Sequence, residues 1–383
     1  MSSRWPRATL AELTEKERSI TYGVVKPGDE VEGGIAFVRG GDVVQGRILI
    51  DTLRTISPQL SQTYKRTLLR GGELLVSLVG NPGEVAIAPD TLAGANIARQ
   101  VGLVALRPEF DSRFYMYYLM SPMGKAEFFS RTGGAVQQVI NLADLKTVSV
   151  PLPSESEQIE IASILSNYDD LIENNRRRMA LLEESARLLY REWFVRLRFP
   201  GYEHTPIVEG VPQGWERAPL ESALVLQRGF DLPTQDRQEG VVPIYGSTGV
   251  LGYHDKVKAI APGVVTGRSG TLGEVQYVAE DYWPLNTALW VKEFKRVTPL
   301  FALFLLREMD LRQFNGGASV PTLDRKSVHR VEILIPSTPM LRSFDEFALD
   351  VFAQIKNLVT QNQKLRAARD LLLPRLMSGE LAV

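Results

Sequence analysis

The chain has 383 residues, enough for two or three domains, with 44% apolar and 23% charged residues and a formal net charge of −1. It has no cysteine, so disulfides and thiolate chemistry are excluded, and no apolar run long enough for a membrane span or a secretory leader. Near-zero net charge argues against a protein that coats nucleic acid by bulk charge, while leaving room for a local basic face.

In chain order, the first globular unit runs over 1–153. Short apolar runs between Gly33 and Ile50 are broken by glycine pairs. Leu74–Val79 and Val101–Leu106 are strand candidates bounded by turn residues. Arg113–Phe129 has helical spacing, with Phe114, Tyr117, Tyr118 and Phe128 as core candidates. Thr147–Leu152 alternates and reads as a closing strand.

The stretch 154–200 reads as one long helix. Leu165, Ile172, Met179, Ala186 and Trp193 are spaced by seven, and Ile161, Tyr168, Asn175, Leu182 and Leu189 form the companion line. Ser154 and Glu157 make a capping box at its start, and Pro200-Gly201 ends it. From Gln158 to Phe199 such a helix extends on the order of 60 Å, which suits a spacer better than a core element.

A Pro- and Gly-rich linker leads to a second unit, 201–337, whose globular part opens at Trp215. Val241–Tyr245, Gly263–Thr266, Glu274–Val278 and Ala288–Val291 are strand candidates, Leu300–Met309 a helix, and Ser327–Ile335 a last strand. The segment 338–383 carries a second seam: Phe344, Val351, Leu358, Leu365 and Leu372 on one line, Ala348, Ile355, Asn362 and Leu376 on the other, with Arg369 an exception. Two matching seams suggest that the helices pair with each other, with Asn362 setting register at some cost in stability.

The chain repeats itself. An offset of 183 carries Gly133-Gly134-Ala135 onto Gly316-Gly317-Ala318, Pro153-Ser154 onto Pro336-Ser337, and Ile172, Leu182 and Leu189 onto Ile355, Leu365 and Leu372. Upstream the offset is 190, taking Gly83-Glu84-Val85 to Gly273-Glu274-Val275 and Asn96 to Asn286; at the start it is 210, taking Trp5 to Trp215. The unit is a globular domain followed by a long helix, present twice. The fold class expected is α+β: two mixed domains separated by two long helices that pair as an antiparallel coiled coil.

Catalytic signatures are missing. The three histidines, His204, His254 and His329, lack metal-ligand spacing; there is no phosphate-binding G-x-x-x-x-G-K-[ST] loop and no G-x-S-x-G. The loops offer recognition chemistry instead. The second copy presents Tyr245, Ser247 and Thr248, then Lys256, then Arg268 and Ser269, with Arg228 upstream. The first copy presents Arg39, Arg47, Arg54, Lys65, Arg66 and Asn81. Arg and Lys reach guanine edges and phosphates, Ser and Thr donate to either, and glycines admit a close backbone. The same residues also fit turn glycines and solvated charges, and spacing alone does not separate the two readings.

Taken together and in order, these features resemble the DNA-specificity (S) subunits of type I restriction–modification systems. The resemblance rests on Pro212-Gln213-Gly214-Trp215, Val242-Pro243-Ile244-Tyr245-Gly246-Ser247, Gly267-Arg268-Ser269-Gly270-Thr271-Leu272-Gly273 and Trp283-Pro284-Leu285-Asn286-Thr287-Ala288. In the first unit it rests on Gly80-Asn81-Pro82-Gly83-Glu84-Val85 and the Val150-Pro151-Leu152-Pro153 junction. It implies a non-catalytic subunit that reads a split double-stranded DNA site and docks two methyltransferase (M) subunits, with restriction (R) subunits as further partners. The chain itself would hold no cofactor; S-adenosylmethionine, ATP and magnesium would belong to the partners. At offset 190 Arg268 falls on Leu78, so the two halves are expected to read different sequences. The isolated chain is expected to bind DNA weakly and to gain affinity with M subunits. The competing reading is a non-catalytic protein-interaction scaffold with tandem binding domains.

Overall fold

The structure, a computed structural model, describes residues 5–130, 139–317 and 319–383. The Gly133-Gly134-Ala135 stretch of the repeat and its counterpart residue 318 lie outside them. The chain forms two compact units, Met1–Asn175 with Thr360–Val383, and Arg176–Val359. Each unit therefore takes one half of each long helix.

In the first unit, Arg7–Thr9 pairs antiparallel with Ser149–Pro151 and brings the domain's two ends together. A four-stranded antiparallel sheet follows the order Thr21–Tyr22, Val101–Val104, Leu74–Ser77, Val85–Ile87. A three-stranded sheet places Ile35–Val38 between antiparallel Arg54–Ile56 and parallel Asn96–Ile97. Strands Leu74–Ser77 and Val101–Val104 are buried at every position. Period-2 alternation explains this: Leu74 and Val76 face the helices with Val85 and Val104, whereas Leu75 faces the smaller sheet's side with Ala86, Val101 and Leu103.

The second unit repeats this plan strand for strand. Glu216–Pro219 pairs with Glu332–Ile335. The four-stranded order is Leu224–Arg228, Ala288–Phe294, Gly263–Gly267, Val275–Val278. The three-stranded sheet has Val242–Gly246 between antiparallel Gly249–His254 and parallel Trp283–Pro284. The duplication expected from the offsets is thus a duplication of topology, parallel pair included.

Several boundaries differ from expectation for local reasons. Arg113–Phe129 is two helices, Ser112–Met120 and Pro122–Phe129, because Ser121 is extended and caps the second through Gly124 N at 3.2 Å. Gly124 is required there, since a Cβ would lie 2.2 Å from the Tyr118 carbonyl oxygen. The start of the expected last strand, Ser327, lies in a short helix, Arg325–His329, capped by Asp324. The strand itself is Glu332–Ile335. Strand Gly249–His254 was not expected; its glycines and exposed apolar residues hide the alternation.

The central helix is Glu155–Tyr190, opening with the Ser154–Glu157 capping box, and its last turn, Arg191–Val195, is a π-helix. The widened turn delivers Phe194 into an aromatic cluster, 4.9 Å from Phe301 and 5.3 Å from Phe344, both edge-on. The C-terminal helix is Thr338–Met377. In the first unit the two helices run antiparallel: Ile161 and Leu165 share a core with Leu376 and Met377, Asp169 is ion-paired with Arg369, and Asn175 meets Asn362. The seam exception Arg369 is explained by this pairing, and Asp169 also accepts from the Tyr117 hydroxyl at 2.6 Å. In the second unit Ala186 and Tyr190 pack with Phe344, Ala348 and Val351.

Asn175 Nδ2 donates to Asn362 Oδ1 at 3.0 Å, and Asn362 Nδ2 donates to the Ile172 carbonyl at 3.2 Å, both side chains buried. Asn362→Leu alone strands the Asn175 amide and should cost about 1–3 kcal/mol, whereas leucine at both positions should recover that stability or exceed it. Thermal unfolding of the single and double variants decides; a double variant no better than the single would show that the pair contributes more than register.

His329 Nε2 accepts from the Leu226 backbone N–H at 3.0 Å, which requires neutral imidazole. Burial, then the nearby Arg325 charge, push its pKa below the usual 6.5. Folding therefore excludes a proton: the stabilisation is complete above about pH 6.5 and is lost as pH falls through the folded value. The thermal midpoint should decline on the acid side of that window, and His329→Gln, which keeps an acceptor without titrating, should flatten the decline. An unchanged acid slope in the variant would place the titration elsewhere.

Candidate nucleic-acid interface

In the second unit, strand Gly263–Gly267 ends in a tight glycine-rich turn. A Cβ on Gly267 would lie 1.9 Å from the Thr271 carbonyl oxygen and 3.2 Å from that of Ser247, so no other residue fits where these two loops touch. The backbone N–H groups of Arg268 and Ser269 both donate to the Thr287 carbonyl, at 2.8 and 3.2 Å, and the Arg268 carbonyl accepts from Leu323 N at 2.8 Å. The Arg268 guanidinium is aimed by its own Nε, which donates to the Asn286 carbonyl at 2.7 Å. The Asn286 amide donates to the Asp231 carboxylate, which also accepts from Arg228 Nη2 at 3.1 Å.

Five chain segments are thus stitched into one polar edge carrying Arg228, Ser247, Arg268 and Ser269. Thr248 and Lys256 are exposed, Thr248 in the turn between strands Val242–Gly246 and Gly249–His254 and Lys256 just after the second of them. Tyr245 is placed differently: its ring is half-buried, edge-on to Tyr282 at 5.8 Å, and burial raises its pKa. Sequence reasoning missed Lys258, whose ammonium lies over the Phe230 ring at 4.9 Å and the Trp283 ring at 5.4 Å. In the sequence Trp283 stands out only within a motif and Phe230 not at all, so the aromatic platform for this cation gave no signal there.

In the first unit the candidate cations are distributed over several elements. Arg39 is clamped on Asp42 through Nε at 3.0 Å and Nη2 at 2.8 Å, which holds it more firmly charged, and it also reaches the Thr52 carbonyl at 3.2 Å. Arg54 faces Glu30 at 3.4 Å. Arg47 is ion-paired with Glu173 on the central helix. Lys65 and Arg66 are exposed on the turn Lys65–Thr67. Asn96, the counterpart of Asn286, is buried and anchors that turn: its Oδ1 accepts from Thr67 Oγ1 at 2.7 Å and its Nδ2 donates to the Ser61 carbonyl at 3.3 Å. Asn81 is exposed at the tip of the turn between Gly80 and Gly83. Leu78, opposite Arg268 in the repeat, is buried in the core, so the first copy has no arginine at that loop position.

Among the described residues no group of three His, Cys, Asp or Glu could hold a metal ion, and no helix is long and apolar enough to cross a membrane.

Comparison with known proteins places these features. The family described as the type I restriction modification DNA specificity domain matches residues 5–184. The EcoBI specificity subunit of Escherichia coli is 33% identical over 175 residues, covering 44% of this chain and 36% of that protein, so this alignment spans about a third of the relative. The MjaIX specificity subunit of Methanocaldococcus jannaschii is 26% identical over 375 residues, covering 86% of this chain and 82% of its own. The crystal structure of a type I S subunit from M. genitalium has the same fold, with a TM-score of 0.56 at 18% identity over 98% of this chain and 96% of that one. Residues 5–184 thus match the type I restriction modification DNA specificity domain, and the second half of the chain repeats the topology of the matched half.

Proposed function

We propose that this chain is the non-catalytic DNA-recognition subunit of a type I restriction–modification complex, acting in the cytoplasm on a split, asymmetric duplex site. The observation that carries the reading is one topology present twice with unlike chemistry at matched loop positions: Arg268 aimed by Asn286 in one copy, Leu78 buried in the other. A shared frame with different loops suits two half-sites of different sequence. In the second copy, Arg228, Ser247, Thr248, Lys256, Arg268 and Ser269 are assigned to DNA, with Tyr245 supporting their loop. In the first copy, Lys65, Arg66 and Asn81 are assigned to DNA directly, while Arg39, Arg47 and Arg54 face carboxylates within the chain and act from those positions.

Methyl transfer is assigned to two partner M subunits carrying S-adenosylmethionine, and ATP- and magnesium-dependent steps to R subunits. The central helix offers a surface for an M subunit. Leu181, Leu188 and Val195 lie seven apart, outside the seam, and are 71%, 49% and 52% exposed. A stripe of this kind is unusual on a free surface and suits an apolar partner helix or sheet.

Arg268→Ala should relax or abolish only the half-site read by the second unit, at about 1–3 kcal/mol of discrimination, while the other half-site is kept. Sequencing of methylated DNA from cells carrying the complex reads this directly; a palindromic or continuous motif in the unsubstituted protein would overturn the split-site reading.

Leu181→Asp combined with Leu188→Asp should abolish co-purification with the methyltransferase while leaving circular dichroism and thermal unfolding of the chain unchanged. Normal assembly of a folded double variant would move the docking surface elsewhere.

A further inference from the structure

The second unit contains an arginine-lined recess that the recognition edge does not use. It has a volume of about 360 Å³ and lies between the last turns of the central helix, the end of the helix Pro299–Glu308, and Gly273. Arg187, Arg191, Arg307 and Arg312 line it, with Glu308 and Asp310 among them.

The carboxylates do not saturate these guanidinium groups. Glu184 takes Arg187 at 2.7 and 2.8 Å, and Glu183 takes Arg307 Nη1 at 2.6 Å. Glu308 is shared by two arginines at longer range, 3.6 Å from Arg187 and 3.4 Å from Arg191. The Arg191 contact is made by its Nε, a buried atom that completes no hydrogen bond with Glu308. Among the described residues Arg312 has no carboxylate partner, and its Nε reaches only the Leu272 carbonyl, at 3.4 Å. A buried guanidinium N–H engaged only by a long ion pair, next to a guanidinium with no carboxylate partner, leaves donors for an anion with several acceptor oxygens.

The location selects the anion. Gly273, at φ +90°, lets Arg312 lie flat on the chain: a Cβ there would be 3.1 Å from Arg312 Cγ and Nε. Asp310, held at φ +42°, turns the chain so that Arg312 returns over this glycine. Gly273 closes the same turn that opens with Arg268 and Ser269, so the recess lies at the foot of the loop assigned to base reading.

We propose that this recess binds one phosphate of the DNA backbone and so sets the position of the Arg268 loop along the duplex. The inference rests on the DNA-recognition reading above and adds a sequence-independent anchor to it. Arg312 donates to the phosphate from the exposed rim, and Arg191 supplies from within its Nε, which Glu308 engages only at 3.4 Å.

The test is duplex binding by the full chain assembled with its methyltransferase subunits, on the cognate duplex and on a scrambled one, across a range of salt. In Arg312→Gln the slope of log K against log salt should become shallower by about 0.9, and affinity should fall by the same factor on both duplexes. The methylated motif and thermal midpoint should not change, and Arg312→Lys should restore most of the slope. An unchanged salt slope in Arg312→Gln would overturn the proposal. So would weakened binding of the cognate duplex alone, which makes Arg312 a base reader, or loss of methyltransferase assembly, which makes the recess a protein-docking site. If the unsubstituted complex shows no preference between the duplexes, the DNA-recognition reading itself fails, an outcome distinct from a retained preference with an unchanged slope.

Discussion

Neither long helix can cover its own apolar stripe. Ile161, Leu165 and Ile172 on one, and Phe344, Val351 and Leu358 on the other, are all but fully buried, and burying a side chain of this size contributes about 1.5–3 kcal/mol. Each compact unit is completed by helical segments far apart in sequence: the first by residues near 161–175 and 360–377, the second by residues near 182–194 and 341–355. Neither domain is therefore finished until the C-terminal helix has returned, and such non-local closure makes folding slower than that of a helical bundle with local contacts. The Asn175–Asn362 pair matters in this setting, because a uniformly apolar antiparallel seam would tolerate slippage by a heptad.

On that base each domain uses its four-stranded sheet as a middle layer. Because the central strands are buried on both faces, their positions leave little freedom, and variation is confined to the turns between them. The two copies show how. Asn286 and Asn96 hold matched positions, yet Asn286 latches Asp231 and aims Arg268, while Asn96 anchors the turn that carries Lys65 and Arg66. One framework thus presents cations from different elements in the two halves, which is the physical basis of the proposed reading of unlike sequences.

Electrostatics limits how such a chain can bind. Much of its arginine is paired internally: Arg39 on Asp42, Arg47 on Glu173, Arg369 on Asp169. Partly buried pairs of this kind orient side chains more than they raise affinity. With a net charge of −1, the proposed function would rest on a few placed guanidinium groups rather than on a basic surface, with specificity set by local geometry.

The duplication, the two seams and the absence of catalytic signatures were legible in the residues alone, because heptad spacing, glycine turns and chain offsets are local or periodic patterns. The family resemblance followed from the same motifs in order, twice. What only the tertiary structure decided was non-local. It turned Tyr245 toward Tyr282, set Arg47 against Glu173, buried Leu78, paired Arg369 with Asp169, and assembled Arg228, Ser247, Arg268 and Ser269 on one edge. It also brought Arg187 and Arg191 to Arg307 and Arg312 across more than 100 residues of sequence. A charge's partner is fixed by which strands pair and which helix passes alongside, and no spacing rule in one sequence encodes that distance.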